Sequence, residues 1–540
     1  MSSGSGSVKR MGASLQTLFL VALTLSVAAC GNGSSNSANS SYPAPFDQAK
    51  GEGALTSEAL VMTYPTGSNT ASTAAATTGL DAFYNQLICN GLTQTQCAAN
   101  VANLNTAQFG NFDLTADPIG SNPLGIKTVD AVKIDYTAIN VDKSAVTVSG
   151  GIVIPEIAPA SIKGVVLYFH GTTVQRTNVP SNFTLPANFS TYTDGILMAA
   201  ILASQGYVVV MPDYIGLGDD TTHPHPYVAY PQQDAQSGLA MLKAARSFLA
   251  SSYHIKRTLP LYITGYSEGG AYALEAAHLM QRNPRYRSAL NVKLREAAPI
   301  SGFFDLSGTG LPYLFDNISQ TNNNWFSLDP TVSALSKPYL SAYLVLSFAN
   351  YSGIAPTDIL ASNFYNCPSQ ATQCGSSGNL DGLYFTATQS AGYDTTVAFL
   401  TYAIATQTGW STTNNAVTPL LTPTYADALM QQDMANPLYQ QLVDADTYPF
   451  VPRFPVTLVS LAQDSVVTRK NSDVAFAYFT GKNPHGPYNE DLVTNSDFLA
   501  EGIASAGPID HTTELPFLTV LILSEFNATH LVWHPQRPAK

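Results

Sequence analysis

Residues 259–274 read Leu-Pro-Leu-Tyr-Ile-Thr-Gly-Tyr-Ser-Glu-Gly-Gly-Ala-Tyr-Ala-Leu. Leu259 to Thr264 is a short apolar run of the kind that fills a buried strand. From Ala271 to Met280, positions Ala271, Leu274, Ala277 and His278 recur on one helical face. Between the two lies Gly265-Tyr266-Ser267-Glu268-Gly269-Gly270, a strand-to-helix turn with a serine at its tip. A turn that sharp strains the serine backbone and leaves no room for side chains two residues to either side, a condition that Gly265 and Gly269 meet. Composition alone produces a G-x-S-x-G about 0.2 times in a chain of this length. The motif therefore counts because of the strand before it and the helix after it.

A serine so placed is the nucleophile elbow of an α/β-hydrolase, which requires an acid and then a histidine further along the chain. The surrounding pattern agrees. Val132 to Tyr136 and Val146 to Pro155 cluster β-formers as a hairpin would. Gly164 to His170 and Tyr207 to Met211 are continuous apolar strands, with a helix-like Asp234 to Leu249 between them and the elbow. Arg295 to Ile300 is a weaker strand pattern and Phe454 to Ala462 a strong one. Apolar strands alternating with helices predict a mostly parallel central sheet covered by helices on both faces. The catalytic domain is expected at 129–304 and 454–540. Residues 305–453 are too long for a loop between sheet neighbours, and are read as a cap over the active site, with helical pieces at Leu335 to Phe348 and Thr424 to Asp433. Residues 48–128 form an N-terminal extension with mixed signals, Leu80 to Ile88 being helical in pattern, and no role is assigned to it.

Phe454 to Ala462 ends at Gln463-Asp464-Ser465, which puts Asp464 just past the carboxyl end of a parallel strand, on the edge where the elbow stands. Asp464 is the expected acid, with Asp473, in the following helix, as the runner-up. Four histidines follow it: His485, His511, His530 and His534. His511 precedes Leu515 to Phe526, an apolar segment that reads as the last helix with Thr512 or Thr513 as its N-cap, and it is the expected base ahead of His485. His170-Gly171-Thr172 follows a predicted strand, so the Thr172 amide and that of Glu268 are the candidate oxyanion donors. His170 itself reads as structural. His223-Pro224-His225-Pro226 has prolines that forbid helical convergence of the rings and no adjoining acidic cluster, so no metal or other cofactor is expected.

The chain starts with a basic pair, Lys9 and Arg10, then an apolar stretch Leu15 to Ala29 too short to span a bilayer comfortably, then Val27-Ala28-Ala29-Cys30. Residues 1–29 are read as a lipoprotein signal with Cys30 as the lipidated residue, an ordinary secretory signal being the rival. Residues 30–47 are read as a flexible Gly/Ser/Asn-rich tether. The expected location is outside the cytoplasm, anchored to a bacterial outer membrane or else secreted. Two close cysteine pairs, Cys89 with Cys97 and Cys367 with Cys374, predict disulfides in that compartment. A net charge of −13 argues against nucleic acid as a partner.

Taken together, His170-Gly171, Pro212-Asp213-Tyr214-Ile215-Gly216-Leu217-Gly218, His225-Pro226-Tyr227 and Gly265 to Gly270 resemble the secreted bacterial α/β-hydrolases related to the secretory lipase family. The resemblance covers about residues 130–305 well and 454–526 moderately. It implies a carboxylic ester hydrolase with Ser267, Asp464 and His511 as its triad and a small-molecule or lipid ester as substrate. The polar stretch Asn483 to Asn495, between Asp464 and His511, departs from it. Two other readings stay open: a serine peptidase of the same fold, and a non-catalytic, surface-anchored binding module.

Overall fold

Four strands with continuous apolar runs, Gly164–Phe169, Tyr207–Pro212, Leu259–Tyr266 and Val456–Leu461, stand within one nine-stranded sheet. The computed structural model describes residues 42–66, 80–104, 108–109, 112–113, 124–173, 176–183, 194–311, 314, 330–362, 421–500, 503, 505 and 509–532. The chain divides into two compact units, Met1–Pro43 and Ala44–Lys540, and the second holds the sheet and its helices. Residues 1–41 lie outside the described residues, and with them the signal segment, Cys30 and most of the tether.

The strands are β1 (Leu55–Pro65), β2 (Gln108–Phe109), β3 (Phe112–Asp113), β4 (Thr128–Ile139), β5 (Ala145–Pro155), β6 (Gly164–Phe169), β7 (Tyr207–Pro212), β8 (Leu259–Tyr266), β9 (Val292–Ile300), β10 (Val456–Leu461) and β11 (Tyr488–Val493). β2 and β3 pair only with each other; the rest run in the order β1-β4-β5-β7-β6-β8-β9-β10-β11. Pairing is antiparallel from β1 to β7 and parallel from there to β11. The helices on which the fold depends are α1 (Leu80–Ile88), α2 (Gln94–Leu104), α3 (Asp194–Ile201), α4 (Pro231–Ser252), α5 (Glu268–Arg282) and α6 (Arg285–Leu290). Helices at Lys470–Lys482 and Leu515–Val532 add to the two outer layers.

The alternation of a strand explains the two layers. β6 sends Val165, Leu167 and Phe169 into one core, with Leu239 and Leu242 of α4 and Leu274 of α5. Its intervening Val166 and Tyr168 enter the other, with Ile196 and Leu197 of α3, Phe83 and Tyr84 of α1, and Leu518, Leu521 and Ile522 of the last helix. Each such fully buried side chain contributes about 1.5–3 kcal/mol. A third cluster joins Leu344 and Val345 of the helix Pro330–Ser352, Leu438 and Leu442 of Pro437–Asp444, and Val466 and Val467. It lies where the chain between β9 and β10 meets the elements that follow β10.

Two strands of the nine-stranded sheet escaped the sequence pattern, both at its edges. β1 is exposed at most of its positions, so it carries no inward run to read; nonetheless it adds Leu55–Pro65 to the sheet by pairing with β4. β11, Tyr-Asn-Glu-Asp-Leu-Val, is the polar stretch that seemed to break the pattern. It pairs in parallel with β10 along its whole length. The last helix begins at Leu515, so the residue before it is Glu514 rather than Thr512 or Thr513; the Glu514 carbonyl accepts from the amides of Phe517 and Leu518.

Candidate active site

β8 lies between β6 and β9, with Gly265 opposite Phe169 on one side and Pro299 on the other. At its end Ser267 adopts φ +57° and ψ −119°, a conformation that costs an L residue of order 1–3 kcal/mol. Close approach explains the flanking glycines. A Cβ on Gly265 would stand 2.2 Å from the Gly269 carbonyl oxygen, and one on Gly269 would stand 2.1 Å from that of Phe169. The turn is held by the Ser267 amide, which donates to the Ile300 carbonyl at 3.0 Å, and by the Gly270 amide, which donates to the Ser267 carbonyl at 2.9 Å.

Ser267 Oγ lies 2.8 Å from His511 Nε2, and His511 Nδ1 lies 2.7 Å from Asp464 Oδ2. The other oxygen of Asp464 accepts from the amides of Val466 and Val467, both at 2.8 Å, so its charge is stabilised by backbone dipoles. All three residues are buried, Asp464 almost completely. His511 is further held by Tyr266, whose ring stacks on the imidazole at 4.9 Å between centroids and whose hydroxyl donates to the His511 carbonyl. Asn495, just past β11, clamps Ile509, two residues before the histidine: its side chain donates to the Ile509 carbonyl and accepts from the Ile509 amide, each at 2.9 Å. The polar edge strand thus delivers the chain to the histidine loop.

Of the rivals, His485 is exposed in the turn before β11. Val456 pairs with Tyr488, so this turn is at the amino end of β10, whereas Asp464 is past its carboxyl end. At about 3.3 Å per residue that is roughly 20 Å away. Asp473 is half-exposed on the helix Lys470–Lys482 and faces Arg469 at 3.8 Å. The His530 side chain and His534 lie outside the described residues, as do Cys367 and Cys374. Cys89 and Cys97 form a disulfide between α1 and α2.

The loop after β6 runs beside the elbow: a Cβ on Gly171 would stand 3.0 Å from the Tyr266 ring. Thr172 follows it, its hydroxyl 3.3 Å from that of Tyr227. Glu268 opens α5, where helix amides favour negative charge, and its buried side chain turns away from Ser267 to meet His225 Nε2 at 2.5 Å and the Tyr272 hydroxyl at 2.8 Å. Asp234 lies 4.0 Å from His225 Nδ1. Burial pushes the Asp234 carboxyl up to about 7, against the pull of His225. Burial would lower His225, but Glu268 and Asp234 outweigh it and hold the imidazole above its usual range.

These carboxylates correct the expectation that nothing acidic adjoins the His223–Pro226 segment. Asp220 also bonds His223 Nδ1 at 2.9 Å. Glu268 and Asp234 come from 43 and 9 residues further along the chain, beyond the reach of a local pattern. His170 is buried, stacked on Tyr214 at 4.0 Å, with Nδ1 2.7 Å from the Gly171 carbonyl oxygen, as a structural histidine would be.

Sequence reasoning missed Glu514. It is fully buried, with Oε1 3.7 Å from His511 Nδ1 and no hydrogen-bond partner of good geometry for either oxygen. Burial, with Asp464 nearby, holds its carboxyl well above the ordinary glutamate range. It stands just before the last helix, where nothing in the local sequence separates a buried carboxyl from a solvated one. Among the described residues, Asp464, His511 and Glu514 are the one group with metal-ligand atoms within 4.8 Å of one another. Both ring nitrogens of His511 are engaged by Asp464 and Ser267, an arrangement suited to moving a proton along a line.

Residues 179–294 match the family model of the secretory lipases. No curated protein matches the chain in sequence. Among solved structures, the rice cell wall degrading esterase LipA of Xanthomonas oryzae is 19% identical with a TM-score of 0.59, over 89% of this chain and 99% of that one. A Legionella pneumophila protein is also 19% identical, with a TM-score of 0.56 over 89% and 99% of the two chains. With its parallel core and helices on both faces, the chain has the α/β-hydrolase fold.

Proposed function

We propose that the protein is a serine hydrolase that cleaves carboxylic esters, as an esterase or lipase. The observation that carries this reading is the continuous line from Ser267 Oγ through His511 to Asp464, at 2.8 and 2.7 Å, with the serine on a strained elbow. The secretory lipase match and the esterase among the structural neighbours support the choice of ester substrates. Ser267 attacks the ester carbonyl as His511 Nε2 takes its proton; Asp464 holds the tautomer and stabilises the imidazolium. The amides of Thr172 and Glu268 receive the oxyanion. His511 returns its proton to the departing alcohol, and water, deprotonated by His511, releases the acid.

Residues 305–453 act as the cap that shapes the substrate pocket, on a catalytic domain of 129–304 and 454–540 to which β1 adds an edge strand and α1 a covering helix. The Cys89–Cys97 bridge and the secretory family match support export, with Cys30 as the lipid anchor to the outer membrane.

The test is hydrolysis of p-nitrophenyl esters from acetyl to palmitoyl by the protein and by Ser267→Ala. Hydrolysis that falls by several orders of magnitude in the variant is expected. A peak at long acyl chains makes this a lipase and one at short chains an esterase. If the protein hydrolyses no ester and a fluorophosphonate fails to label Ser267, the proposal is wrong, and peptide cleavage or a binding role takes its place.

A further inference from the structure

The segment His225-Pro226-Tyr227 touches both sides of the elbow. On one side His225 Nε2 bonds Glu268 Oε1 at 2.5 Å while its Nδ1 lies 3.0 Å from the Ile215 carbonyl oxygen, so the ring is pinned at both nitrogens. Glu268 is the residue directly after Ser267, and a side chain held there holds the orientation of its amide. On the other side the Tyr227 hydroxyl lies 3.3 Å from Thr172 Oγ1. The Tyr227 ring stacks on Tyr343 at 4.3 Å, and the Tyr343 hydroxyl donates to the Thr173 carbonyl at 3.2 Å. The segment is in turn held by the helix Pro330–Ser352: Ser347 donates to the Pro226 carbonyl, and Tyr351 to that of Pro224 at 2.7 Å. His225, Tyr227 and Tyr343 are all buried. Tyr227 takes a φ of +48°, a strained conformation that its surroundings must enforce.

We propose that His225 and Tyr227 are positioning residues for the oxyanion site. His225 sets the Glu268 amide through the Glu268 side chain. Tyr227, backed by Tyr343, sets the loop of Thr172. The inference rests on the reading above that these two amides receive the oxyanion. It makes the helix Pro330–Ser352 part of the catalytic geometry, because the helix supplies the surface on which the segment is braced. Donors preorganised in this way act on the tetrahedral intermediate and not on the planar ester, so their loss is felt in turnover more than in substrate binding.

The experiment compares full-length protein with His225→Gln, Tyr227→Phe and Tyr343→Phe on p-nitrophenyl acetate, each first checked for a cooperative melt. It also measures inhibition by an alkyl trifluoromethyl ketone. That probe forms a reversible hemiketal: Ser267 Oγ bonds to its carbonyl carbon, the hydroxyl proton passes to His511, and the carbonyl oxygen becomes the oxyanion. For His225→Gln, kcat is expected to fall about 10- to 100-fold with KM changed less than about threefold. The ketone should weaken by the same factor as kcat/KM. The two phenylalanine variants should show the same split at about three- to tenfold, and they carry the test if His225→Gln fails to fold. A folded variant set with unchanged kcat and unchanged ketone affinity overturns the proposal while Ser267-dependent hydrolysis stands, as does a rise in KM alone. Absence of any Ser267-dependent reaction in the unmutated protein overturns the parent reading and this one with it.

Discussion

Asp510 accepts hydrogen bonds from Ser465 at both the backbone nitrogen, 3.0 Å, and the hydroxyl, 2.6 Å, so the loop that carries His511 is tied to the loop that carries Asp464. The same carboxylate accepts from the His511 amide at 2.5 Å. Each residue of this latch is the sequence neighbour of a residue in the proton line.

Asp510→Ala leaves the buried amides of Ser465 and His511 without their acceptor. A stability loss of about 1–3 kcal/mol is expected. Because His511 loses its register to Asp464, kcat on a p-nitrophenyl ester should fall more than about tenfold. Urea melts and steady-state kinetics check both. A variant that loses stability but keeps its kcat would show that the latch is structural only.

Glu514 predicts a pH dependence. Its carboxyl is held well above the ordinary range by burial, so the folded chain keeps a proton that the unfolded chain gives up. The folded state then binds more protons, and stability falls as pH climbs past the usual glutamate value near ~4.3 until the raised pKa is reached. Below that window both states hold the proton and the full stability is present. Glu514→Gln removes the ionisable group, so its stability relative to the unmutated protein should improve with rising pH by up to about 1.4 kcal/mol per unit within the window. Denaturant midpoints of both proteins at pH 5, 6, 7 and 8 test this; parallel curves would show Glu514 ionised in the folded chain.

Ser267 stores strain that glycine would not. Ser267→Gly should be more stable than Ser267→Ala by about 1 kcal/mol, since both lack the hydroxyl but only glycine takes φ +57° freely. Both should be inactive. Equal melting points would mean that neighbouring contacts, and not the backbone, set the stability of the turn.

The Cys89–Cys97 bridge closes a loop with a sequence separation of 8 between α1 and α2. In the chain-entropy model such a loop is worth about 2–3 kcal/mol. α1 contributes Phe83 and Tyr84 to the core beneath the last helix, and the Tyr84 hydroxyl donates to the Pro516 carbonyl at 3.3 Å. Loosening the loop should therefore reach the segment that follows His511. Cys89→Ser with Cys97→Ser is expected to lower the denaturant midpoint accordingly and to raise amide exchange in Leu515–Val532. No change in exchange there would separate the bridge from the site.

The sequence by itself determined the core of the sheet and the order of the proton line. A strand buried on both faces must be apolar throughout, so β6, β7, β8 and β10 were legible as runs, and the elbow between β8 and α5 was legible because only glycine fits at residues 265 and 269. Asp464 was the expected acid because a chain leaving a parallel strand emerges at a known edge of the sheet, and His511 the expected base because it precedes the apolar segment that reads as the last helix. Tertiary structure alone decided the rest. β1 and β11 are edge strands that give the core few buried side chains, Tyr64 and Val493 among them, so hydrophobic pattern is nearly silent about them. The choice between His511 and His485 turned on which end of β10 each one reaches. Glu514, the Asp510–Ser465 latch and the His225–Glu268 pair bring together groups that no periodicity relates. The latch spans 45 residues and the pair 43, and a polar contact of that kind leaves no trace in local sequence, because its energy depends on a partner that only the folded chain supplies.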